Sequence, residues 1–395
     1  MTLPKPIYIV AAKRTPIGSY LGSLSSLSAP ELGARAIAAS IEQAKLESKD
    51  IQEVFMGNVL SAGIGQAPAR QASRFAGVPD EVPCTTVNKV CGSGLQAVIF
   101  AAKTIALGDA DLVVAGGMES MSNVPYYLTK GRTGYRMGDG QIKDGMIMDG
   151  LWDPYSDQHM GNCGELCAAE YDFSREAQDD FAKESYRRAL SAQAEGLFDN
   201  ELCTVEVPQR KGDPIVVDAD EEPGRGKPEK FPKLRPAFKK DGTVTAANAS
   251  SINDGACALV LASEEAVKSR NLEPLVRIEG YAGAAQAPEW FTTAPAKAID
   301  NALTKLKLDR KQIGLHEINE AFSVVPMAVA KLCEIDLAKV NVRGGAVSIG
   351  HPIGASGARI LATLIYAMRD QKVERGMASI CLGGGEGLAL AVHNG

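Results

Sequence analysis

Ile51-Gln52-Glu53-Val54-Phe55-Met56-Gly57-Asn58 and Ile313-Gly314-Leu315-His316-Glu317-Ile318-Asn319-Glu320 are two copies of one pattern, and their correspondence decides the fold. Each is a short apolar run closing on a polar exit, which reads as a buried strand and its loop. Downstream of the first copy, Val90-Cys91-Gly92-Ser93-Gly94-Leu95 opens a helix whose Val98, Ile99, Ala102, Ile105 and Ala106 recur at helical spacing, with Gly108 as the stop. Downstream of the second, Ser356-Gly357 opens an apolar helix in the same way. Each helix leads to a further strand. One spans Asp111 to Ala115 and closes on Gly116-Gly117-Met118-Glu119; the other ends Cys381-Leu382-Gly383-Gly384-Gly385-Glu386. Four matched elements in succession point to an internal duplication. Strands from Ile7 to Ala12 and helices from Pro30 to Glu47 and Thr292 to Leu306 continue the alternation, which predicts a largely parallel sheet covered on both faces.

Between the halves the alternation fails. Residues 130 to 165 are rich in Gly, Met and Asp, a helix from Ser174 to Glu195 stopped by Gly196 sits alone, and residues 211 to 242 mix both charges with five prolines. This is an inserted loop domain, read either as a wall of a substrate site or as a solvated decoration. The division is 1–119 with 248–271 for the first α/β half, 120–247 for the loop domain and 272–395 for the second half.

The 395 residues call for two or three domains, and 45% hydrophobic with 23% charged content describes a globular chain with a large core. A formal net charge of -6 argues against nucleic acid as a partner. No apolar run reaches the ~20 residues that span a bilayer, so no membrane is expected. Eight cysteines without C-x-x-C or framework spacing indicate reduced thiols. Met1 leads through Lys5-Pro6 straight into Ile7, so the expected compartment is cytoplasmic, or the mitochondrial matrix for a mature form without its presequence.

Chemistry concentrates at strand ends and helix mouths, where open α/β sheets bind ligands. Cys91 sits at a helix N-terminus, which predicts a thiol pKa below the usual ~8.5. His351, in Gly350-His351-Pro352-Ile353-Gly354, falls near the place that corresponds to Cys91 in the repeat, so a pseudo-twofold brings an imidazole and the thiols Cys91 and Cys381 together. His159, Cys163 and Cys167 share a helical face but lack a fourth metal ligand. Gly92-Ser93-Gly94 lacks the spacing of a dinucleotide fingerprint.

Cys-Gly-Ser-Gly, Asn-Glu-Ala-Phe, Gly-His-Pro-x-Gly-x-Ser-Gly and Cys-x-Gly-Gly-Gly, in this order, resemble the thiolases over essentially the whole chain. With Gln158-His159-Met160-Gly161 and Asn248-Ala249-Ser250, the resemblance is to the short-chain, acetyl-CoA C-acetyltransferase branch. It implies a fold of duplicated α/β units in five α-β-α-β-α layers with an inserted loop domain. The implied reaction joins two acetyl-CoA into acetoacetyl-CoA and CoA, or runs the reverse thiolysis, with coenzyme A as substrate and no tightly bound cofactor. Cys91 would carry the acetyl group. His351 would take its proton, Cys381 would be the acid/base at acetyl C2, and Asn319 would hold a water at the enolate oxygen. The backbone N–H groups of Cys91 and Gly383 would form a second oxyanion hole.

The resemblance also gives Met160, Ala321, Phe322 and Phe291 to the substrate pocket. His159 is either a wall of that pocket or a structural histidine. Ser250 would meet the pantetheine arm, and Phe231 and Leu234 the adenine, unless Phe231 is simply core. Arg225, Lys227 and Lys230 meet CoA phosphates or form a solvated charge run. Phe291 stands where short-chain members commonly carry methionine. It resembles the branch that accepts 2-methyl-acetoacetyl-CoA and responds to potassium, for which the carbonyls of Ala246, Ala247 and Ala249 are the candidate ligands. Family members are homo-oligomers, with a dimer of dimers placed through the apolar segment Pro125 to Leu128. The rival readings are a broad-range 3-ketoacyl-CoA thiolase of fatty-acid β-oxidation and a catalytically silent CoA or lipid carrier.

Overall fold

The computed structural model describes residues 3–394. Its strands are β1 (Ile7–Arg14), β2 (Glu53–Gly57), β3 (Cys84–Val87), β4 (Leu112–Ser120), β5 (Asn253–Ser263), β6 (Val276–Ala285), β7 (Leu315–Ile318), β8 (Arg375–Leu382) and β9 (Glu386–His393). They form one sheet in the order β7-β8-β9-β6-β1-β5-β4-β2-β3, with Gly18–Ser19 paired to β5 as a tenth strand. The duplication is written in this order. In the first half β2 is parallel to β4, β4 antiparallel to β5, and β5 antiparallel to β1. In the second half β7, β8, β9 and β6 repeat the same neighbours and the same senses. The halves join where Tyr8 and Ile9 of β1 pair with Arg277 and Val276 of β6.

The sheet is therefore mixed, and the expectation of a largely parallel one is corrected. Two connections turn the chain back. Gly383-Gly384-Gly385 closes β8 onto β9 as a hairpin, with φ of +85° and +82° at Gly384 and Gly385. In the first half the equivalent link, from Ser120 to Asn253, holds the whole insertion. Gly116 and Gly117 also differ from expectation, lying inside β4 rather than at its exit. A Cβ on Gly117 would sit 2.0 Å from the Gly354 carbonyl oxygen, and one on Gly116 2.0 Å from that of Cys257.

Eight helices of eight or more residues are described: α1 (Ala29–Gln43), α2 (Pro68–Phe75), α3 (Ser93–Leu107), α4 (Met160–Glu170), α5 (Arg175–Ala194), α6 (Ala294–Leu306), α7 (Val324–Cys333) and α8 (Ile353–Gln371). Helices α1 and α2 cover the outer face of the first half, α6 and α7 that of the second, and α3 packs on α8 between them, giving five layers. The segment Val90–Leu107 is long and apolar enough to cross a membrane, yet 67% of it is buried, because the middle layer packs it between the sheet and α8. Glycines set the α3–α8 contact reciprocally. A Cβ on Gly94 would lie 2.9 Å from Ala358 N, and one on Gly357 2.6 Å from Leu95 N. The two helix N-termini consequently meet about the pseudo-twofold.

The helix α5 begins at Ser174, whose hydroxyl accepts the Ala177 N–H at 3.2 Å, and ends before Gly196 at φ +68°. It does not stand alone. Ser185 Oγ donates to Glu320 at 2.8 Å, and Arg188 donates to the Val340 carbonyl at 2.5 Å, fastening the insertion to the second half. On the other side Arg14 of β1, fully buried, meets Glu201 and Asp220 at 2.6 Å each. Two buried carboxylates around one guanidinium compensate its desolvation.

Candidate active site

Cys91 stands on a strained elbow. Val90 adopts φ +47°, uncommon for a β-branched residue, and is held there by its N–H to Asn88 Oδ1 at 3.1 Å and by Ser93 Oγ donating to its carbonyl at 2.6 Å. This turn presents the thiol one residue ahead of the α3 N-cap, Gly92. The N–H groups of Gly383 and of Cys91 itself both point at the sulfur. Burial nevertheless outweighs them and pushes the thiol up to about 12, correcting the expectation of a depressed pKa. Cys381, at the end of β8, is held well above the thiol range by its full burial and by the nearby Cys91 sulfur.

His351 lies at the mouth of α8, with its N–H on Asn253 Oδ1 at 2.8 Å. Its Nδ1 is 2.6 Å from Ser356 Oγ, and that hydroxyl spends its own proton on the Pro352 carbonyl at 2.9 Å. Ser356 thus accepts from Nδ1, which fixes the proton there and leaves Nε2 bare. Asn319 Nδ2 donates to Nε2 at 3.4 Å, and Asn319 Oδ1 is buried without a partner. Burial lowers the imidazole to about 3, so the resting pair is a neutral thiol and a neutral base. Beneath them Glu119 accepts from Asn58, Val59, Leu60 and Gly354 at 2.7 to 3.2 Å, tying the β2 exit to α8.

Beside the thiols a cavity of about 330 Å³ is lined by Val90, Phe291 and Gly383 and, from the insertion, by Trp152, Tyr155 and Met160. Phe291 is buried and packs on Phe322, with ring centroids 6.4 Å apart. Ala321 presents its carbonyl to both the N–H and the hydroxyl of Ser250 at 3.0 Å. His159 caps α4, its Nδ1 accepting the Gly161 N–H at 3.1 Å, and stacks on Phe238 at 4.6 Å; a side chain at Gly161 would collide with that ring. Phe231 is buried away from this cavity against Tyr186 of α5, whereas Leu234 is exposed. Ala247 and Ala249 are buried and Ala246 is exposed, in a turn pinned by Asn248 Oδ1 on the Thr245 N–H at 2.8 Å. Among the described residues no three His, Cys, Asp or Glu side chains are arranged to hold a metal ion. Ser356, Asn253, Glu119, Trp152 and Tyr155 were not singled out from sequence. Ser356 alone had a local signal, its fixed place in the Gly-His-Pro-x-Gly-x-Ser segment.

A neutral thiol and a proton-accepting imidazole at paired helix mouths, with a second thiol at a strand end, define a cysteine-dependent acyltransferase. Residues 7–265 match the family described as thiolase, N-terminal domain, and residues 272–394 match thiolase, C-terminal domain. The chain belongs to the thiolase family. It is 52% identical over 392 residues to acetyl-CoA acetyltransferase 1 of Arabidopsis thaliana, covering 99% of this chain and 94% of that one. It is 50% identical over 388 residues to acetyl-CoA acetyltransferase of Cupriavidus necator, covering 98% and 99%. The crystal structure of Acat5 thiolase from Ascaris suum in complex with coenzyme A superposes with a TM-score of 0.94 at 47% identity, covering 99% of this chain and 100% of that one.

Proposed function

We propose that this chain is an acetyl-CoA C-acetyltransferase, joining two acetyl-CoA into acetoacetyl-CoA and CoA and catalysing the reverse thiolysis. The observation that carries the reading is the bare Nε2 of His351 at the same helix crossing as Cys91, with the Gly383 and Cys91 N–H groups converging on the sulfur. As Cys91 Sγ attacks the thioester carbonyl, its proton passes to His351 Nε2, and the developing oxyanion takes the two backbone N–H groups. The imidazolium returns the proton to the departing CoA sulfur, leaving acetyl-Cys91. Cys381 first passes its own proton to His351, and its thiolate removes a C2 proton from the second acetyl-CoA; the enolate, its oxygen facing the His351 imidazolium and a water on Asn319, attacks acetyl-Cys91, and the expelled Cys91 sulfur takes the proton back from His351. A neutral base that is hard to protonate suits this sequence, since the imidazolium surrenders its proton at once.

Ser250, Ala321 and Phe322 are assigned to the pantetheine channel, His159 and Met160 to the acyl wall, and Leu234 to the adenine end, while Phe231, packed on Tyr186, is core. The test is CoA-dependent thiolysis of acetoacetyl-CoA, its 2-methyl analogue and a long-chain 3-ketoacyl-CoA, with potassium exchanged for sodium. Turnover of the short substrates alone is expected; equal turnover of the long chain would replace this reading with the β-oxidation enzyme. A potassium response would support the carbonyl site at Ala246, Ala247 and Ala249. The cavity makes a sharper demand on Phe291. Phe291→Ala is expected to cost about 3 kcal/mol of stability, and to raise the rate on 3-ketohexanoyl-CoA relative to acetoacetyl-CoA. An unchanged ratio would remove Phe291 from the wall. The exposed Tyr126 and Leu128, on a ribbon pairing Tyr126–Tyr127 with Lys143–Asp144, support a homotetramer, which light scattering would check. A cytoplasmic location is proposed with it, and imaging of the tagged chain would decide it.

A further inference from the structure

The catalytic histidine closes a ring of contacts that passes through a charge the reaction just described does not use. From His351 Nδ1 the ring runs to Ser356 at 2.6 Å, along one turn of α8 to Arg359, across to Glu317 at 3.5 Å, two residues along the β7 exit to Asn319, and back to His351 Nε2 at 3.4 Å. Ser356 and Arg359 are three apart on one face of α8, and Glu317 and Asn319 two apart about the β7 exit, so the ion pair sits on the same sides of the two elements as the residues that hold the imidazole. Arg359 is 1% exposed and Glu317 equally buried. Their single contact leaves Arg359 Nη2 and Glu317 Oε1 unpartnered, a costly arrangement that structural packing alone does not require.

We infer that Arg359 is a positioning residue for acyl transfer, its fixed positive charge keeping His351 Nε2 free of a proton until Cys91 delivers one. The titratable and charged groups around His351 are few. They are Cys91 ahead of α3, Cys381 at the end of β8, Glu119 of β4 on the Gly354 N–H, Asp254 of β5, Glu317 and Glu320 about β7, and Arg359 in α8. Both thiols are neutral at rest. Glu320 is engaged by Asn341, Ser185 and the Val347 N–H. Burial pushes the Glu317 carboxyl up, against the pull of Arg359, and so weakens its cancellation of that charge. Arg359 is then the charge that bears on His351, and its sign opposes the imidazolium.

The inference rests on the acyl-transfer reading, and its test separates the two. The pH dependence of kcat/KM for acetoacetyl-CoA thiolysis is measured for the unsubstituted enzyme and for Arg359→Met, Arg359→Gln and Arg359→Lys, each with its melting temperature. Removing the charge raises the proton affinity of His351, so the acid limb is expected to move up by about one pH unit in Met and Gln and to stay in place in Lys. A purely structural role would lower melting temperature and kcat while leaving the limb unmoved in all three, and that result overturns the inference. A second measurement needs no substitution at Arg359. In spectra of ¹⁵N-histidine enzyme, with four histidines to resolve and His351→Asn for assignment, His351 is expected to stay the neutral Nδ1–H tautomer down to about pH 5. Titration near its ordinary value of ~6.5 overturns the inference as well. Absence of thiolysis in the unsubstituted enzyme would instead remove the acyl-transfer reading itself.

Discussion

Cys381→Ala is expected to split the reaction in two. The variant still exchanges acetyl groups between acetyl-CoA and CoA through acetyl-Cys91, because Cys91, the Gly383 N–H and the bare Nε2 of His351 are all intact. Its condensation rate falls by about 10³-fold or more, the scale for losing a positioned acid/base. Cys91→Ala loses both halves, by about 10⁴-fold or more, since no covalent intermediate forms. Intact-protein mass spectrometry after acetyl-CoA treatment reads the first half and acetoacetyl-CoA formation reads the second. If Cys381→Ala failed to acetylate while remaining folded, the two thiols would not have the separate duties assigned to them. The burial of both makes the assignment chemically reasonable: neither is a free thiolate, so each acts only when a substrate or His351 takes part in the proton transfer.

The second large effect is on the fold. Gly117→Ala puts a methyl group 2.0 Å from the Gly354 carbonyl oxygen and 3.0 Å from Ala355 Cα, in a strand buried on both faces. No flexible side chain can give way, because the obstructing atoms are backbone at the mouth of α8. A loss of about 3 kcal/mol or more is expected, together with activity, since the loop displaced carries His351. Thermal denaturation and thiolysis measured together test this. A melting temperature within about two degrees of the parent would show that the β4–α8 contact yields easily.

What the sequence disclosed and what it hid differ for physical reasons. The duplication was legible because Ile51–Asn58 and Ile313–Glu320 keep the same hydrophobic pattern, and local pattern determines strands. The meeting of the α3 and α8 N-termini was legible through that symmetry. The sense of the strands was not, since β5 enters between β1 and β4 only after the insertion, and nothing in Asn253–Ser263 states its neighbours. Gly116 and Gly117 looked like a strand exit because glycine usually marks one; here they answer backbone on Cys257 and Gly354, a demand set by residues far along the chain. The Cys91 pKa was misjudged for the same cause. A helix N-terminus is visible locally, but the burial that overrides it comes from distant packing. Trp152 and Tyr155 carried no periodicity in their Gly- and Met-rich surroundings, and so the outer wall of the cavity went unread.

The late arrival of β5 governs how this molecule is made. During synthesis β1 and β4 emerge early, yet the strand that joins them is separated from β4 by the entire insertion. Until Asn253–Ser263 leaves the ribosome, both strands present open edges, the condition in which nascent sheets bind each other or a chaperone. The helix α3 can meet α8 only later still. The Cys91 elbow is therefore encoded in the first quarter of the chain and assembled near the end of translation. Fragments cut within the insertion would then have to be recovered together, as complementing pieces, rather than as halves that fold apart.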